Sequence, residues 1–471
     1  MRSVLFLLTV SLAGSLQAQS LDWAKVDAET LEHFSKLVQI NSTDPGGSEE
    51  PVVNYLKSVF DKEGIAYKVF QRDNLVDPEV KRPNIVARLK GNGKKRPLLI
   101  VGHSDTVNID EKKWKHGPFS AHREGGYIYG RGTVDDKDNL AAALMVMLLL
   151  KRQNVALDRD VIFLAEAGEE GATVMGIQLL VNQHWPEIEA EYCLAEGGSV
   201  VRTNGKPRYV GVQTTEKLPS GVRLIANGPA GHGSRPLRTN AVVHIANAVA
   251  KAAAWQPPMK LNDTTRTYFE RLATISNEQE RERYNGILNP DKTDAVQEYF
   301  AVHEPHHNSM LRTSISPNII KAGYRANVIP SEAEAYLDIR ALPDEDLTKF
   351  YEQLKAVIND PVVKIVRANT SGRPGALPSP LNNDAFRAIE EVAAKHYAGV
   401  PVLPTMSTGA TDMAFLRAKG MACYGIGPGI DTEDGPLGFG AHSDQERILE
   451  AELYRFVRFH YEVVVKLAGA N

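Results

Sequence analysis

Apolar residues fall along this chain with two periods. Between residues 28 and 63 they recur every three or four positions, which predicts amphipathic helices over 28–40 and 49–63, parted by the loop NSTDPGGSEE. The spacing then changes. Residues 84–90 alternate into the turn Gly91-Asn92-Gly93, and 97–102 form a nearly continuous apolar run, the pattern of a strand covered on both faces. An Ala-, Leu- and Met-rich stretch over 139–150 predicts a buried helix, too short for a membrane span of about 20 residues. Strands over 161–165 and 192–195 follow, with a helix at 177–182 between them.

Near Glu216 the texture changes. A strand over 220–227, a helix over 240–255, a second strand within 325–341 after the turn Pro330-Ser331, a helix over 344–359 and a strand over 362–369 approach the β-α-β-β-α-β order of a ferredoxin-like unit. A charged, His-containing segment at about 256–317 interrupts it and reads as a helical insertion. After SGRPGALPSP the chain returns to helix, strand and loop, ending in a helix over 450–468. The expectation is an α/β domain in two pieces, 19–215 and 373–471, with a second unit, 216–372, inserted between them.

Composition changes this picture little. A chain of 471 residues exceeds one ordinary core, in keeping with two domains. With 43% hydrophobic and 24% charged residues it has globular composition. A net charge of −4 gives no support to a nucleic-acid partner or an anionic membrane surface. The first residues differ: Arg2, an apolar run from Val4 to Leu16, and Ala18 before Gln19 match a cleavable leader over 1–18. The expected location is periplasmic or extracellular, with no membrane attachment once the leader is removed. Cys193 and Cys423 could pair in an oxidising compartment, and two buried free thiols fit at least as well. Sequons begin at Asn41, Asn262 and Asn369.

Candidate chemistry sits in five short motifs: His103 in VGHSDTV, Asp135 in GRGTVDDKDN, Glu169 and Glu170 in AEAGEEG, Glu196 in CLAEGG, and His442 in GFGAHSD. Three of these follow predicted strands, where open α/β sheets place their sites. Two neutral imidazoles and several carboxylates suit a pair of divalent metals, zinc first, and a carboxylate to spare is equipment for hydrolysis. Asp105 is the nearest acceptor that could fix the His103 tautomer. Adjacent Asp135 and Asp136 are costly to crowd without a cation. Alternatively, Asp136 and Asp138 favour a helix N-terminus, so Asp135 is expected on metal and Asp138 at the cap. Of Glu169 and Glu170, one can ligate while the other moves protons. Gly197-Gly198 lets the backbone pass close behind Glu196. His303-Glu304-Pro305-His306-His307 has the form H-E-x-x-H, but Pro305 is hostile to the required helix interior, and a surface segment is expected.

Over nearly its whole mature length the chain resembles the M20 family of metallopeptidases, which includes carboxypeptidases, dipeptidases, aminoacylases and desuccinylases. The resemblance implies a two-metal exopeptidase-type α/β domain, a mixed sheet flanked by helices, with an inserted ferredoxin-like α+β lid that often dimerises. It implies that Asp135 bridges two metals, His103 and Glu196 hold one, and Glu170 and His442 hold the other. Glu169 would be the general base, Asp105 would orient His103, and the Asp135–Asp136 peptide would be cis. In the lid, GPAGHGSRP implies that His232 stabilises the oxyanion, in many members at the neighbouring subunit's site. Asn327 in YRANVIP, Arg340 in LDIRALP and Gly409 in STGATDMA match substrate-binding positions; Arg340 and Gly409 serve a terminal carboxylate. The implied function is an exported dinuclear zinc carboxypeptidase, with Co2+ or Mn2+ as alternative metals and a metal-bridging water as nucleophile. An N-acyl amino acid hydrolase of aminoacylase or desuccinylase type is the alternative, and a non-catalytic binding protein a distant third. Expected partners are a small peptide or N-acyl amino acid and a second copy through the lid. The chain departs from the family at Asp138, where Gly is common, and in its long insertion, which could reshape the pocket or the dimer contact.

Overall fold

In a computed structural model, residues 21–368 and 372–470 are described; the expected leader and the Asn369 sequon lie outside them. Ten strands make one mixed sheet. Its order is Tyr67–Phe70, Asn84–Leu89, Val161–Glu166, Leu98–His103, Tyr192–Ala195, Ala422–Gly425, Lys206–Glu216, Ser199–Thr203 and Gly429–Asp431, with Val402–Ser407 also paired to Lys206–Glu216. The centre is parallel: Leu98–His103 runs with both Val161–Glu166 and Tyr192–Ala195, and Ala422–Gly425 runs with Tyr192–Ala195.

The period of two along these strands sorts side chains to two faces. Leu98, Ile100, Val161 and Phe163 join a core beneath the helices Trp23–Val38, Glu50–Glu63, Lys137–Arg152, Asp384–His396 and Glu450–Ala468. Leu99, Val101, Ile162 and Leu164 face the opposite side, against Ile177–Gln183 and Met413–Ala418. Lys137–Arg152 is buried on all sides through Leu150, which explains its near-uniform apolar sequence. Cys193 and Cys423 stand opposite each other on adjacent strands, both free and buried. Among the described residues no helix is long and apolar enough to cross a membrane.

The inserted unit has its own antiparallel sheet, ordered Val363–Arg367, Val222–Asn227, Glu332–Ala341, Ser314–Ala322, with Ala241–Ala254 and Leu347–Ile358 on its buried face. That is the ferredoxin-like order. Two expectations need correction. Ser314–Ala322 is a strand that begins inside the stretch expected to be helical insertion. The helical part, Asp263–Thr274 to Pro305–Met310, shares a core with Leu403 and Met406 of the large sheet. The H-E-x-x-H look-alike is broken as expected, since His303 ends one helix and Pro305 opens the next. It is not merely surface, however: the His307 ring packs among Phe269, Tyr284 and Phe300 and takes the Tyr268 hydroxyl at 3.1 Å.

Candidate metal centre

Five segments converge at one end of the large sheet. His103 ends the strand Leu98–His103, and its partner strand Val161–Glu166 leads into Glu169 and Glu170. Glu196 follows Tyr192–Ala195 directly. Asp135 precedes the helix Lys137–Arg152, and the Asp135–Asp136 peptide is cis. His442 comes from the loop before Arg447–Leu449.

Their ligand atoms form sets that could each hold a metal ion: His103, Asp135 and Glu196 in one, Asp135, Glu170 and His442 in another. Asp135 belongs to both. Its Oδ1 lies 3.0 Å from His103 Nε2, and its Oδ2 lies 2.9 Å from His442 Nε2, which is itself 3.0 Å from Glu170 Oε1. Two carboxylate oxygens aimed at two imidazoles is the layout a bridging ligand needs. His103, Glu169 and Glu170 also come within ligand distance of one another.

The tautomer of His103 is set from behind. Nδ1 points at the Asp105 carbonyl oxygen at 3.1 Å, with Asp105 Oδ1 at 3.5 Å, which leaves Nε2 for the centre. The Asp105 carboxylate mainly accepts from the backbone N–H groups of Glu169 and Glu170, at 3.1 and 3.0 Å, and so fixes that turn as well. Glycines make the close approach possible: a Cβ on Gly198 would stand 2.1 Å from the Gly425 carbonyl oxygen.

Asp138 does not cap. Its carboxylate is buried with neither oxygen hydrogen-bonded, and burial pushes its pKa up to about 8. Asp136 takes the anchoring role instead, accepting from the His103 backbone N–H at 3.0 Å and from Asn139 Nδ2 at 2.7 Å.

The electrostatics suit a cation. Burial disfavours the charged form of His103, yet its bonds to Asp105 and Asp135 outweigh this and hold its pKa well above the ordinary value. Bonds to Asp135 and Glu170 raise His442 to about 10. The carboxylates thus demand positive charge here, and protons supply it where metal ions could. Two imidazoles with oxygen donors fit zinc-like dications.

Several residues escaped the sequence reading. Arg373 ion-pairs with the Glu169 carboxylate, donates to the Glu169 carbonyl at 3.0 Å and reaches Asp412 Oδ1 at 3.1 Å. Burial raises the Glu169 pKa to about 7 against the pull of this arginine. Buried Glu446 accepts from Arg131 at 2.6 Å and from Gly132 and Val134 N–H, pinning the loop of Asp135 to that of His442.

The inserted unit contributes nothing to these donor sets among the described residues. His232 and Val328 pair across two short strands beside Asn327, and His232 Nδ1 accepts from the Ser234 hydroxyl at 2.7 Å. Arg340 lies on the solvent side of Glu332–Ala341, paired with Asp338 at 2.9 Å. Gly409 is exposed just past Val402–Ser407. A cavity of about 420 Å³ opens beside Asp135 and Glu196, with Val134, Pro428, Ile430 and Phe439 on its apolar wall.

The model of Peptidase family M20/M25/M40 matches residues 99–466. The chain is 28% identical over 325 residues to a probable carboxypeptidase S-like 2 of Dictyostelium discoideum, covering 67% of this chain and 62% of that one. It is 26% identical over 376 residues to the human N-fatty-acyl-amino acid synthase/hydrolase PM20D1, covering 78% of this chain and 74% of the human protein. Among solved structures, an M20 family metallo-carboxypeptidase from Sulfolobus solfataricus superimposes with a TM-score of 0.68 at 22% identity, over 93% of this chain and 99% of that one.

Proposed function

The chain belongs to peptidase family M20/M25/M40, and from that premise we propose that it is a metal-dependent hydrolase that releases an amino acid bearing a free carboxylate, by carboxypeptidase-type cleavage of a small peptide. The sharing of Asp135 between two donor sets carries this reading. Two divalent cations, zinc first, would be held by His103, Asp135 and Glu196 and by Asp135, Glu170 and His442, and would supply Lewis acidity and a water of lowered pKa.

The remaining steps belong to the chain. Glu169 takes the proton of the attacking water and returns it to the leaving amine; its burial and raised pKa suit both transfers near neutral pH. Arg340 exchanges Asp338 for the substrate carboxylate, which its planar fork binds through two oxygens, with Asn327 and Gly409 alongside. His232 donates to the developing oxyanion after the inserted unit closes, from the same or a second copy. Export to the periplasm or beyond, on the strength of the 1–18 leader, and homodimerisation through the inserted unit are parts of the same proposal.

The test is hydrolysis of dipeptides with free and amidated carboxyl termini, alongside metal analysis. Cleavage of the free-carboxylate peptides, about two metals per chain, and loss of turnover by roughly 10²–10⁴-fold in Glu169→Gln with metal retained are expected. Equal cleavage of amidated peptides overturns the Arg340 role, and near-normal turnover in Glu169→Gln overturns that of Glu169. A second reading, N-acyl amino acid hydrolysis, draws on the human relative and on the apolar wall of the cavity. Preference for N-acyl amino acids over every dipeptide would establish it.

A further inference from the structure

A third group of metal-ligand side chains gathers away from the centre: His116, His122 and Glu124, whose ligand atoms lie within 4.8 Å of one another. His122 and Glu124 are two apart on the strand His122–Glu124 and therefore share a face. His116 comes from the preceding loop and lies flat on His122, with ring centroids 3.7 Å apart and an interplanar angle of 15°. Tyr129, the cross-strand neighbour of His122, closes another side, its ring 5.5 Å from that of His116. The Nε2 of His116 is buried without a hydrogen-bond partner, 3.3 Å from Glu124 Oε2.

We propose that His116, His122 and Glu124 form a separate site for a zinc-like dication. Two imidazoles with one carboxylate select borderline transition metals such as Zn2+, Ni2+ or Cu2+ over Ca2+ or Mg2+, which prefer all-oxygen shells. Three protein ligands at a partly exposed position leave room for water as a fourth. The rings lie face to face, so their in-plane lone pairs run nearly parallel, and one ring turns out of the stack for both nitrogens to reach a single ion. Lys115 Nζ already sits 2.9 Å from Glu124 Oε2, and a bound metal would compete with it for that carboxylate.

The site is mechanically tied to the catalytic end. Gln445, three residues after His442, accepts from the Lys115 N–H through Oε1 at 3.2 Å and donates from Nε2 to the Lys113 carbonyl at 2.6 Å. Occupancy would stiffen the segment against which the His442 loop leans.

The test counts zinc in full-length protein dialysed against free Zn2+, comparing wild type with His122→Gln and Glu124→Gln. Wild type should hold one more zinc per chain than either variant, and added Zn2+ should raise its melting temperature more. The variants should match wild type in basal hydrolysis and circular dichroism. Equal zinc counts in all three, or loss in only one variant, overturn the proposal. The readout is the difference between proteins, so an unexpected total tells against the dinuclear centre while the difference judges this site alone.

Discussion

Arg373 lies 204 positions from Glu169, yet it is the side chain that fixes where that carboxylate points. If Glu169 shuttles the proton, Arg373→Ala frees it to swing, and a displacement near 1 Å costs roughly 10²-fold in turnover. The expected result is a fall in kcat with metal content unchanged, and partial recovery in Arg373→Lys, which keeps the charge but not the fork. A raised KM at constant kcat would place Arg373 on the substrate instead. Gly198→Ala is expected to displace Glu196, because its Cβ would meet the Gly425 carbonyl oxygen at 2.1 Å; weaker metal retention measures this. The metal-type residues could be picked out because each stands in a short motif, three of these motifs at strand ends. Arg373 could not, since nothing in SGRPG signals a partner across the fold. Asp138 misled for a related reason: an acidic residue at a helix start has a local role available, and only the packing removes it.

Elements were legible wherever periodicity was undisturbed. The helix Glu450–Ala468 matches its expected range, and the strand Tyr192–Ala195 does too. The strand Ser314–Ala322 was hidden by Pro317, which reads as a breaker; the pairing tolerates it because the register shifts between Pro317 and Ile319, on an edge strand. Glu450–Ala468 also carries a pH dependence. His460 is fully buried, with both ring nitrogens unpaired, and burial depresses its pKa to about 3. In the unfolded chain it titrates near 6.5, so below that value the unfolded state binds more protons. Stability present above pH 6.5 is therefore lost as the pH falls toward 3, by about 1.4 kcal/mol per unit. Wild type should lose about 2 kcal/mol between pH 7 and pH 5 that His460→Phe retains, read by denaturant titration with metal chelated in both. Equal losses would show that His460 is not held neutral.

At the level of the whole chain, the expected pattern of one unit inserted in another hides a second connection. The helices between Asp263 and Met310 interrupt the inserted unit in sequence but lean on the large sheet, where Thr264 meets Thr214 at 2.7 Å and Arg271 donates to the Val402 carbonyl at 2.6 Å. Phe269→Ala, which empties the middle of that shared core, should cost about 3–5 kcal/mol. The insertion and the large sheet should then melt together; a separate early transition would mean they are independent. Periodicity could not reveal this, because it shows that a helix has a buried face without showing what covers it. The strand order has a further consequence, for the chain as it is made. Ala422–Gly425 fills the slot between Tyr192–Ala195 and Lys206–Glu216. Until the ribosome has released those last residues, the sheet exists as two fragments with unpaired inner edges, rich in the apolar strands that aggregate most readily. The nascent protein must wait about two hundred residues for the strand that joins its halves, and both unpaired edges stay open for that interval.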